Sequence, residues 1–72
     1  MASPTALVGR GVSALQQMDV KDAERFAERA LKFNPHLPEA LRLRADVYLA
    51  VGDYAKAMKE LDRARKVNPR DE

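Results

Sequence analysis

The 72-residue chain contains no cysteine and no tryptophan. Without cysteine there is no disulfide framework, no thiolate zinc site and no thiol nucleophile. The one histidine, His36, lies between Pro35 and Pro38, with no cluster of carboxylates beside it. That is the setting of a turn residue, and it makes neither a metal site nor a general base with a partner. Gly9 and Gly11 lack the following glycine or lysine that a phosphate-cradling loop requires. Ser3 and Ser13 share no helical face with a histidine, so a serine nucleophile has no base. The reading is therefore of a chain that is not an enzyme and takes no cofactor.

Charge of one sign is also scarce. The net charge is only +2, far from the basic stripe of a nucleic-acid binder. No apolar run approaches the roughly 20 residues of a membrane span. Arg10 interrupts the one apolar stretch near the N-terminus, which has no basic opening, so no signal peptide is read there. By default the location expected is cytoplasmic. What is abundant is helix-compatible: 46% of residues are hydrophobic and 33% are charged, a balance that favours a folded chain over a disordered one.

The sequence repeats itself. "KFNP" at Lys32–Pro35 returns as "KVNP" at Lys66–Pro69. Shifting residues 4–37 onto 38–71 pairs Pro4 with Pro38, Ala6 with Ala40, Leu7 with Leu41 and Arg10 with Arg44. Further along it pairs Leu15 with Leu49, Asp19 with Asp53, Ala23 with Ala57, Arg29 with Arg63 and Ala30 with Ala64. A fixed period in this range is the mark of stacked helical repeats. Each unit reads as two helices. Ser3 and Pro4 open the first, Asp19 caps the second, and Asn34 in a left-handed conformation followed by Pro35 ends it. In the second unit Pro38 opens a helix, Gly52–Asp53 stops it and caps the next, and Asn68–Pro69 closes. The helices expected are Pro4–Gln17, Lys21–Phe33, Pro38–Val51 and Tyr54–Val67. Ala23, Ala27, Ala30 and Phe33, like Ala57, Leu61, Ala64 and Val67, fall at helical spacing on one inward face. Glu28–Lys32 and Asp62–Lys66 are acid-before-base pairs four residues apart on the outer faces.

This pattern resembles the tetratricopeptide repeat family over residues 4–71. The second unit matches most closely, through Leu41, Ala45, Tyr48, Gly52–Tyr54, Ala57, Leu61, Ala64 and Pro69. The first keeps Leu7, Gly11, Ala23, Ala30 and Pro35. It departs at Ala14 and Ala27, where the family has large residues, and at Met18 and Val20, where it has glycine and an aromatic. Met18 then has to take a backbone conformation that glycine takes easily, and Phe26 refills some of the lost volume. The resemblance implies an all-α fold: a single domain over residues 1–72, made of two stacked helix-turn-helix hairpins in a right-handed α-solenoid. Four antiparallel helices would form a fragment of a longer array.

The resemblance also implies a protein–protein interaction module, with a partner peptide or helix lying along the first helices of the two units. The groove positions are Thr5, Val8, Val12 and Gln16, then Glu39, Arg42, Asp46 and Leu49. The positions at which part of the family clamps a chaperone's carboxylate are Val8, Val12 and Leu43 here, which cannot do so. Arg10 and Arg44 stand where the family has aliphatic residues, either to meet an acidic partner or to lay their stems over apolar surface. A related helical-repeat family reads RNA, but Val8 and Arg42 stand where such a reader wants small polar residues. The other reading is a structural unit that extends an array or self-associates. Tyr48, Val51 and Met58 are the apolar contributors expected at its C-terminal end, and a symmetric homodimer through that end would hide them.

Overall fold

A computed structural model describes residues 3–67, which form α1 (Pro4–Gln16), α2 (Val20–Phe33), α3 (Pro38–Val51) and α4 (Tyr54–Val67). The boundaries lie within one residue of those read from the caps. The closing Asn68–Pro69 falls outside the described residues. None of these helices is long and apolar enough to cross a membrane.

Local chemistry sets the helix ends. Ser3 Oγ accepts a hydrogen bond from the Ala6 N–H at 3.2 Å, and Pro4 occupies the first turn, where its missing N–H is not needed. Asp19 and Asp53 carboxylates accept from the N–H groups of Asp22 and Lys56, each at 3.3 Å. The two tight turns within the hairpins are built alike. Met18 and Gly52 are left-handed, with φ of 65° and 84°. At each turn the next N–H reaches back five residues: Asp19 to the Ala14 carbonyl and Asp53 to the Tyr48 carbonyl, both at 2.8 Å. This is the Schellman arrangement, which satisfies carbonyls that the helix end leaves open. Met18 holds with an L side chain the conformation that Gly52 adopts freely, at roughly 1 kcal/mol.

The turn between the hairpins works differently from the sequence reading. Asn34 is extended, with φ −144°, and not left-handed. Its side-chain carbonyl instead accepts from the His36 N–H at 3.1 Å, and its backbone carbonyl accepts from Leu37 at 3.1 Å. An Asx turn therefore redirects the chain, and Pro35 prevents the helix from continuing.

Helix α1 packs on α2, and α3 packs on α4; α3 also rests on both α1 and α2. Leu7, Val8, Ala27, Ala30, Ala40 and Leu43 form one buried cluster, with Phe26, Leu15, Leu31 and Leu37 half-buried around it. The alanines bring helix backbones together, and leucines from the facing helix fill the space between. Phe33 and Val67 depart from the expected inward face. Each is the last residue of its helix, one turn past the final buried alanine, and each is exposed. The expected pairs Glu28–Lys32 and Asp62–Lys66 are not among the ion pairs that form. Fixing two long exposed side chains loses about as much entropy as the screened attraction gains.

Two glycines in α1 have opposite roles. A Cβ on Gly9 would meet nothing within 4 Å, whereas one on Gly11 would run into Leu43 Cδ2 and lie 3.3 Å from Phe26 Cβ. Gly9→Ala is expected to stabilise by about 0.5–1 kcal/mol, through helix propensity and a restricted unfolded chain. In Gly11→Ala the same gain is opposed by overpacking of roughly 1–3 kcal/mol. Urea denaturation of the two variants should place their midpoints on opposite sides of the parent. Equal midpoints would mean that Leu43 repacks without strain.

Candidate functional site

α1 and α3 lie side by side, so the two sets of groove positions are on neighbouring helices. Thr5, Gln16, Glu39, Arg42 and Asp46 are exposed. Val12 and Leu49, both apolar, are 41% and 43% exposed. Val8 departs from the expectation. It is 9% exposed and belongs to the buried cluster, because the second hairpin covers its side of α1. Its counterpart one repeat later, Arg42, has no further hairpin over it among the described residues and remains exposed. Of the expected groove positions, Thr5, Val12 and Gln16 on α1 and Glu39, Arg42, Asp46 and Leu49 on α3 are thus the exposed ones. Arg42 lies one turn from an acid on each side, Glu39 before it and Asp46 after it.

Of the residues expected at the C-terminal end, Val51 and Met58 are 61% and 60% exposed. Tyr48 is half-buried. Its ring lies 5.9 Å from the Arg44 guanidinium carbon and 5.8 Å from Lys56 Nζ, within the reach of a cation–π contact. Tyr54, which the sequence reading left out of this set, is 66% exposed.

A buried carboxylate was missed altogether. Glu60 is 6% exposed. Its Oε2 lies 3.7 Å from an Arg44 guanidinium nitrogen, and its Oε1 lies 3.6 Å from Arg63. These separations exceed a charge-assisted hydrogen bond, and both Arg44 Nε and Glu60 Oε1 are buried without a hydrogen-bond partner. Arg44 therefore neither awaits an acidic partner nor merely covers apolar surface: it answers an internal carboxylate. Burial works against its charge, but the Tyr48 side chain, the Glu60 carboxylate and the more distant Glu28 carboxylate outweigh it, and its pKa is displaced upward. Sequence alone hid this because the 34-residue counterpart of Glu60 is Phe26, so the repeat pattern marks the position as apolar.

At the opposite end, Ala6, Gly9, Arg10, Ser13, Ala14 and Gln17 of α1 face Asp19, Asp22 and Phe26 across an open cavity of 520 Å³. Arg10 is exposed there, with no carboxylate within ion-pair distance among the described residues.

A family model described as tetratricopeptide repeat matches residues 14–72. Tetratricopeptide repeat protein 16 of Macaca fascicularis is 40% identical over 55 residues, which cover 76% of this chain and 6% of that protein. The chain thus spans a small fraction of the length of the curated relative it matches. Repeats of this kind generally mediate protein–protein interaction. Cap for cap and hairpin for hairpin, with a match to more than half its length, the chain belongs to the tetratricopeptide repeat family.

Proposed function

We propose that the chain binds a partner peptide or helix, without catalysis, along the groove formed by α1 and α3. The observation that carries this reading is the exposure of Val12 and Leu49 on adjacent first helices. Both are apolar, both remain uncovered, and charged residues of both signs flank them. The ligand that suits this surface has apolar side chains for Val12 and Leu49, a carboxylate for Arg42 and basic groups for Glu39 and Asp46. Such mixed charge sets register and orientation more than raw affinity. The partner proposed is a protein segment, not a nucleic acid: the groove offers Arg42 as its only base.

Titration of the labelled chain with a panel of amphipathic peptides tests this, with amide shifts followed by NMR. Shifts are expected at Val12, Arg42, Asp46 and Leu49. Arg42→Glu should weaken an acidic peptide by about tenfold or more while helix content stays unchanged. Shifts clustered at Arg25, Arg29 and Lys32 on α2 would move the site off the groove.

A further inference from the structure

We propose that the outer faces of α2 and α4 form a second binding surface, and that its ligand is the surface of an anionic lipid bilayer. On α2, Lys21, Arg25, Arg29 and Lys32 follow one another at helical spacing, so the four bases stand in one row along the helix. Lys56, Lys59, Arg63 and Lys66 form a similar row on α4. All of these side chains are exposed. Each row lies on the side of its helix opposite the buried alanines, Ala23, Ala27 and Ala30 on α2 and Ala57 and Ala64 on α4. The rows are in register: Arg25, Arg29 and Lys32 return one repeat later as Lys59, Arg63 and Lys66. Acidic residues stand beside the rows and not within them. Arg25, Lys56 and Arg63 reach one at 4.0, 3.7 and 3.6 Å, and the other bases of the two rows have no ion-pair partner among the described residues.

The exposure of this surface does not depend on what lies on either side of the two hairpins. α2 packs on both α1 and α3, and its row of bases still faces solvent. A hairpin stacked on its neighbour therefore leaves the outer face of a second helix open, and α4 repeats α2. Among the described residues α1 touches α3, whereas α2 and α4 do not touch each other. The second helices are thus splayed, with α3 between them. The helical rise makes the row from Lys21 to Lys32 about 16 Å long, and two helix spacings put the rows within about 20 Å of each other. This is a broad face with two rows of charge, and it suits an extended surface better than a single strand following one row.

Clusters of bases on a helix are drawn to anionic headgroups, with an attraction that falls off within a Debye length. The apolar residues at the ends of the rows favour a bilayer over a soluble polyanion. Phe33, 59% exposed, lies one turn past Arg29, and Val67, 42% exposed, lies one turn past Arg63. A polyanion in water makes no use of them, whereas beside headgroups they enter the apolar boundary. An aromatic in one repeat and an aliphatic in the next do not make a stacking platform for nucleobases, and no aromatic lies within either row. Because the net charge is only +2, the chain is held by this one face and not in arbitrary orientations. The surface uses none of the groove positions, so it stands or falls separately from peptide binding.

Co-sedimentation of the chain with vesicles tests the proposal. Binding is expected to phosphatidylcholine vesicles that contain phosphatidylserine and not to phosphatidylcholine alone, and it should fall steeply as salt is raised. Lys32→Gln and Lys59→Gln should each weaken it about fivefold, and the double variant about 25-fold. Circular dichroism should not change, since both side chains are exposed and make no ion pair among the described residues. Arg10→Gln lowers the net charge as much as either variant but lies on α1, off both rows, and should leave vesicle binding intact. An equal loss in Arg10→Gln would mean attraction to net charge alone and would overturn the assignment. So would binding that ignores phosphatidylserine, no binding at all, or tighter binding of these bases to an acidic peptide or to single-stranded RNA.

Discussion

Leu41→Ala is expected to leave the chain largely unfolded at room temperature. Leu41 is fully buried and, with Leu7 and Val47, is among the largest side chains so enclosed. It lies on α3, which packs against all three other helices, so its truncation weakens the element that joins the two hairpins. A buried Leu→Ala change costs about 2–5 kcal/mol, the transfer term plus a residual cavity. A chain of this size has a net stability of roughly 3–5 kcal/mol, so one substitution removes most of it. Far-ultraviolet circular dichroism should show most of the helical signal gone at 25 °C, whereas Leu41→Met, which nearly conserves volume, should retain it at a cost under about 1.5 kcal/mol. A cooperative transition for Leu41→Ala with a midpoint close to the parent would show that the hairpins close around the void.

The second large effect concerns the Arg44–Glu60 pair and is asymmetric. Arg44→Leu leaves the buried Glu60 carboxylate facing Arg63 alone, and Arg63 is half-exposed. An incompletely answered buried charge of this kind costs about 1–3 kcal/mol or more. Glu60→Leu is the opposite case. It removes an oxygen that has no hydrogen bond, and it leaves an arginine whose side chain, 28% exposed, can extend its head into water. Phe26, at the same place in the first repeat, shows that an apolar side chain suits the site. Glu60→Leu is therefore expected to be neutral or stabilising by about 1 kcal/mol, and the double variant Arg44→Leu, Glu60→Leu to recover most of what Arg44→Leu loses. Urea denaturation of the four proteins gives the coupling directly. If Glu60→Leu destabilised as much as Arg44→Leu, the pair would be a net contributor and the ordering above would be wrong. The pH dependence has a definite sign. Arg44 has a folded pKa raised above its unfolded value. Its stabilising charge is fully present below the unfolded value and is lost only as pH rises through the folded one, so the arginine contributes a constant amount across neutral pH.

The period of 34 residues, the four helices and nearly all of their ends were determined by the sequence itself. Serine and aspartate caps, prolines in first turns and a Gly52–Asp53 stop act on their own few residues, so they are legible without knowing what lies across the fold. Met18 shows how far this reaches. Its left-handed backbone follows from its place in the repeat, because the same turn has to be made there as at Gly52. Asn34 marks the limit even for local chemistry: the residue does end α2, but an extended backbone with a side-chain hydrogen bond serves as well as a left-handed one, and composition does not choose between them. Exposure was decided only by the tertiary structure. Val8 and Arg42 occupy the same register, yet one is core and the other exposed, because among the described residues a hairpin stacks over the first and not over the second. Glu60 is buried for a related reason. A carboxylate on a charged helix reads as solvated until α3 brings Arg44 over it, and burial depends on what packs against a face from distant parts of the chain.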